Sequence, residues 1–158
     1  MRASLKLFPA LIMAVILTVG CASSNSKTLS DEEILEKVSP YLEQLVYQDP
    51  ASYASLDDFL RANLGLATTT VESVTLYLGA PNQNTGCFLM LTPAKDADLE
   101  SIEASLEAKG DSMAKTAQMG YTQGYSEYSV LQTRGRFFLV MQADAGRYDE
   151  LVQLLSEL

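Results

Sequence analysis

Apolar residues are spaced along this chain in three ways, and each predicts a different element. The first is an uninterrupted run at residues 7–19, with Arg2 and Lys6 before it and a small polar stretch, 22–29, shortly after it. The second is a spacing of three and four. Ile34, Val38, Tyr41, Leu42 and Leu45 share one side of a helix. Ser30 and Glu33 make a capping-box pair in front of it, and Asp31 and Glu32 put negative charge at the positive end of the helix dipole. Pro40 lies inside the pattern and predicts a kink; Asp49-Pro50 ends the segment. Leu56, Phe59, Leu60 and Leu64 predict a second, short helix, capped by Ser55 with Asp58 and closed by Gly65.

The third spacing is alternation. Residues 68–78 are rich in Val, Thr and Tyr, and Val74, Leu76 and Leu78 alternate with Thr75 and Tyr77, as on a half-buried strand. The turn-forming stretch 81–86 and the apolar run 87–91 complete a hairpin. Pro93 stops the strand, and Asp96 and Asp98 open a long helix with Leu99, Ile102 and Leu106 on one stripe. Gly110 interrupts that helix, with Met113 and Ala117 continuing its face; residues 120–126 form a loop. Residues 128–133 and 137–142 predict a second strand pair around Arg134-Gly135-Arg136. In the closing segment 144–158, Tyr148, Leu151, Val152, Leu155 and Leu158 form one helical stripe. The order β-β-α-β-β-α over 68–158, preceded by one or two helices over 30–65, predicts an α+β domain. Its expected architecture is one antiparallel four-stranded sheet with helices packed on one face.

The run at 7–19 is 13 residues long, too short to span a bilayer as a helix, for which about 20 are needed. With its basic start it reads as a signal peptide over residues 1–20. Leu17-Thr18-Val19-Gly20-Cys21 resembles the lipobox of bacterial lipoproteins, with Thr18 where that family usually has Leu. The resemblance implies cleavage after Gly20 and a diacylglyceryl group on the Cys21 sulfur. Two acyl chains suffice for stable anchoring where one does not. The expected location is the outer, extracytoplasmic face of the cell membrane. Residues 21–29 then serve as a flexible tether. The eight residues 22–29 reach ~28 Å fully extended, or about 15 Å as a random coil.

Composition narrows the chemistry. The chain has 158 residues, enough for a single domain with its own core, here 30–158. Outside the leader there are 9 basic and 20 acidic side chains, a net charge of −11. Such a surface repels phosphate, and no Lys/Arg cluster exists, so nucleic acid is not an expected partner. There is no His, which removes the commonest general base and transition-metal ligand. With Cys21 acylated, Cys87 is a lone thiol in an apolar run, expected to behave as a small buried hydrophobe. No metal loop, nucleophile elbow or phosphate loop is present, and no metal or cofactor is expected.

The mature chain also resembles a family of small Firmicute lipoproteins known only as a domain of unknown function. The matching features run from about Val71 to Leu155: the strand Cys87-Phe88-Leu89-Met90-Leu91, the acidic helix 96–109, Gly120-Tyr121, and the paired strands 130–140. The resemblance implies an extracytoplasmic lipoprotein and supplies no activity. The feature that folding explains least is Tyr121-Thr122-Gln123-Gly124-Tyr125-Ser126-Glu127-Tyr128. Tyrosines among Gly and polar residues give large contact area at low entropy cost. Tyr121, Tyr125 and Tyr128 are therefore the candidate contacts for an envelope protein or a cell-wall glycan, against the alternative that they cap the sheet edge. The leading expectation is a lipid-anchored, non-enzymatic interaction domain. The alternative is a carbohydrate-active envelope enzyme using paired Asp or Glu carboxyls.

Overall fold

In a computed structural model, residues 29–80, 86–119 and 127–158 are described. Among the described residues the fold is α+β: four α-helices and a five-stranded antiparallel sheet. The elements follow as α1 (Asp31–Leu42), β1 (Leu45–Tyr47), α2 (Leu56–Leu64), β2 (Val71–Gly79), β3 (Cys87–Pro93), α3 (Leu99–Gln118), β4 (Tyr128–Thr133), β5 (Arg136–Met141) and α4 (Ala145–Ser156). The strand order is β1-β2-β3-β5-β4. Because β3 and β4 are each antiparallel to the β5 strand between them, they run parallel to one another. α3 joins them, so β3-α3-β4 is a split β-α-β unit.

Two expectations about the sheet are corrected. The first is strand number. Leu45 does not extend the first helix; α1 ends at Leu42, and Leu45–Tyr47 pair with Gly79–Tyr77 as a fifth strand. The second is coverage. The central strands β3 and β5 are buried on both faces. Cys87, Leu89 and Leu91, with Phe137, Leu139 and Met141, pack against α2 and α3. Phe88 and Met90, with Phe138 and Val140, pack against α1 and α4. Helices therefore cover both faces of the sheet, and the molecule has three layers instead of two. The physical reason is visible in the central strands: neither alternates, and a strand apolar at every position must be covered twice.

Local chemistry sets the boundaries. The capping box at Ser30 and Glu33 forms as the sequence predicts. Pro40 lies inside α1, where its missing N–H leaves the Glu36 carbonyl without its helical donor; the Ser39 hydroxyl donates to that carbonyl at 2.8 Å. The last turn of α1 has no basic residue of its own. Arg147 of α4 donates to the Pro40 carbonyl instead, and the buried Gln142 donates to that of Tyr41 at 3.5 Å. Residues 68–70 are a 3-10 turn, so β2 starts at Val71. β4 and β5 are joined by Arg134 and Gly135, both with positive φ (50° and 77°), as a two-residue I′ hairpin turn requires.

α3 runs unbroken through Gly110, contrary to the expected interruption, while Leu99 is partly exposed instead of lying on the buried stripe with Ile102 and Leu106. Gly110 has a packing role. A Cβ there would clash with the Tyr128 ring of β4. The absent side chain lets helix and strand approach closely, and the Tyr128 hydroxyl reaches the Asp111 carboxylate at 2.8 Å. Gly110→Ala is expected to destabilise the fold by about 1–3 kcal/mol through overpacking, despite the gain in helix propensity. Tyr128→Ala in the same chain should relieve most of that penalty. Denaturant unfolding of the two single variants and the double variant checks this; additive losses would show that Gly110 and Tyr128 do not share a packing site.

Candidate interaction surface

The sheet register defines two ends of the domain. At one end lie the start of β2, the end of β3, the start of β5 and the Arg134-Gly135 turn. At the other lie Gly79, Gly86, Cys87, Met141 and the start of β4 at Tyr128. The Gly79 N–H donates to the Gly86 carbonyl at 2.7 Å and closes the β2–β3 hairpin there. Along β3 the two ends are about 20 Å apart.

The described chain begins at the first end, and Arg136 holds it there. Its Nε and Nη2 both meet Asp31 Oδ1 at 2.8 Å, and Nη2 also donates to the Leu29 carbonyl at 3.0 Å. Asp31 Oδ2 accepts from the Ser73 hydroxyl at 3.2 Å. One carboxylate thus bridges β2 and β5 across the end of β3. The Arg136 side chain is only 12% exposed, so this ion pair is better shielded than a surface pair. No spacing along the chain points to this cluster: Arg136 and Asp31 are 105 positions apart.

Of the candidate contact residues, Tyr128 is placed at the second end. Its ring packs on Gly110 of α3 and its hydroxyl is committed to Asp111, whose hydrogen bond is the main cause of a raised phenol pKa. Tyr121 and Tyr125 lie outside the described residues, as does Cys21. An aromatic feature that the sequence pattern does not predict is a row across the α1/α4 face of the sheet. Tyr47 of β1 meets Tyr77 of β2 (centroids 5.4 Å apart), Tyr77 meets Phe88 of β3 (6.5 Å), and Phe88 meets Phe138 of β5 (6.3 Å). The row begins in the core and ends at an open edge, where Tyr47 and Val46 are each about half exposed. The edge strand is only three residues long, which limits edge-to-edge pairing.

The carboxylates with defined partners serve the fold. Asp58 meets the Ser55 hydroxyl, while Asp98 and Asp144 cap α3 and α4. The Asp57 carboxyl is held below its ordinary range by the Thr68 N–H first and the Arg61 guanidinium second, pinning the 3-10 turn to α2. Among the described residues no group of three or more His, Cys, Asp or Glu is placed to hold a metal ion. None of the described helices is long and apolar enough to cross a membrane.

No protein-family model, curated protein or solved structure matches the chain.

Cys87 is fully buried at the start of β3, and loss of hydration raises its thiol pKa to about 12, with Lys109 opposing weakly. Burial therefore keeps the thiol protonated near neutral pH. A thiol-alkylating reagent should react with native Cys87 at least about 100-fold more slowly than with the unfolded chain. Comparable rates would mean that this end of the sheet opens readily.

Proposed function

We propose that this chain is a lipid-anchored, extracytoplasmic interaction domain, a member of the lipoprotein family it resembles. A diacylglyceryl group on Cys21 holds it on the outer face of the cell membrane, and it binds an envelope protein or cell-wall glycan without catalysing a reaction. The observation that carries the reading is the opposition of two ends. Leu29, the last residue of the proposed tether and the first described one, is clamped to one end of the sheet. The Tyr-rich stretch 121–128 rejoins the sheet at Tyr128, at the other end. A tethered module whose Tyr128 end is remote from its anchor is suited to reaching a partner. Capping and clamping account for the carboxylates of Asp31, Asp57 and Asp58.

The test has two arms. Cys21→Ser should move the protein from the membrane to the soluble fraction; retention of the Ser variant on membranes in high salt would exclude the anchor. Capture from intact envelopes should recover a partner absent from an unrelated lipidated domain. Tyr121→Ala combined with Tyr125→Ala should then weaken capture roughly tenfold or more, the scale of aromatic contact residues. Capture unchanged by the double substitution would remove the tyrosines from the surface.

A further inference from the structure

We infer that the end of the domain at which Leu29 is clamped faces the bilayer, and that the Tyr128 end cannot reach that bilayer. The inference rests on the lipid anchor at Cys21 proposed above. It follows from a comparison of two lengths. The eight residues from 22 to 29 span at most ~28 Å. A compact domain of about 130 residues has a radius of gyration of about 14 Å, hence a radius of about 18 Å and a half-circumference of about 56 Å. A tether leaving from one pole of such a body is about half the length needed to pass around it. The opposite pole therefore stays on the far side of the domain from the membrane, however freely the tether moves.

The clamp helps to make the tether this short. Arg136 takes the Leu29 carbonyl and the Asp31 carboxylate together, and Ser73 takes the second oxygen of Asp31. It acts with the packing of the Leu29 side chain on the core and with the capping box at Ser30 and Glu33. Were the chain released as far as Ile34, the free length would grow by about five residues, to ~45 Å, which approaches the half-circumference. Arg136 is thus a positioning residue: it fixes where the tether leaves the domain and so which pole faces the lipid. The partner surface this implies is one met from the side away from the membrane. Lipid headgroups of the anchoring bilayer are out of its reach.

The test uses the full lipidated chain in phosphatidylcholine vesicles that carry a nitroxide on a fraction of their headgroups. A fluorophore is attached at Lys95→Cys, next to the clamped end, or at Glu127→Cys, beside Tyr128; both native residues are exposed, and buried Cys87 is not labelled. Quenching at position 95 should exceed quenching at position 127 by at least threefold. Inserting twenty Gly/Ser residues after Asn25, which leaves the folded domain untouched, should bring the ratio close to one. Arg136→Met, checked by circular dichroism for intact helices, should lower it part of the way. A ratio near one in the unmodified chain would overturn the inference, and a ratio unchanged by Arg136→Met would overturn the role of the clamp. Failure of the chain to float with the vesicles at all would instead overturn the anchor.

Discussion

The exclusion of water from both sides of β3 and β5 is the constraint on which the rest of this structure depends. Five consecutive residues of β3, Cys87 to Leu91, and five of β5, Phe137 to Met141, are buried. Their side chains point alternately into two different cores. On the α1/α4 side alone, Phe88, Met90, Phe138 and Val140 each gain about 2 kcal/mol from burial, together about 8 kcal/mol. That is comparable with the whole net stability of a domain this size, typically about 5–15 kcal/mol. A sheet covered on one face would forfeit it. Helices on both faces are therefore a requirement of these two strands, and the split β-α-β connection carries the chain across the sheet so that β5 can sit beside β3.

The polar groups then secure α1, the helix that closes one layer and follows directly on the first described residues. At its start, Asp31 meets Arg136 and Ser73, so the helix is tied to two strands. At its end, Arg147 and Gln142 take carbonyls of the last turn, where α1 has no basic residue of its own. Ser39 repairs the hydrogen bond that Pro40 removes. Between these ties Ile34, Val38 and Leu42 sit in the core. A helix held at both ends and along its apolar stripe gives the chain before it a fixed point of departure. With the proposed lipid on Cys21, that fixed point gives the domain a preferred orientation.

What the sequence made legible follows from how local each signal is. The helix starts at Ser30, Ser55 and Asp98 depend on neighbours three residues away and could be read directly, as could most of the helical stripes. Leu45 could not. It fits the helical spacing set by Ile34, Val38 and Leu42, and a three-residue strand is too short to show alternation. Only its pairing with β2, more than thirty positions away, makes it a strand. The two-sided burial was present in the unbroken runs at 87–91 and 137–141, but helices with single apolar faces suggested one-sided packing. Gly110 reads as a break along the chain and acts as a seat for a ring that arrives from β4. The strand expected over 128–133 does begin at Tyr128, and the register fixes it there. The Arg136 cluster has no local signature at all. The lipobox-like pattern, by contrast, is entirely local, so the anchor proposed at Cys21 rests on sequence alone.

The most direct test of the two-sided core compares two adjacent residues of one strand. Leu89 faces α2 and α3, and Met90 faces α1 and α4. Equilibrium unfolding of Leu89→Ala and Met90→Ala should show a loss of about 2–5 kcal/mol for each, because each leaves a cavity in a separate closed core. If either substitution changes stability by less than about 0.5 kcal/mol, the value typical of surface positions, that face of the sheet is open and the three-layer architecture is contradicted.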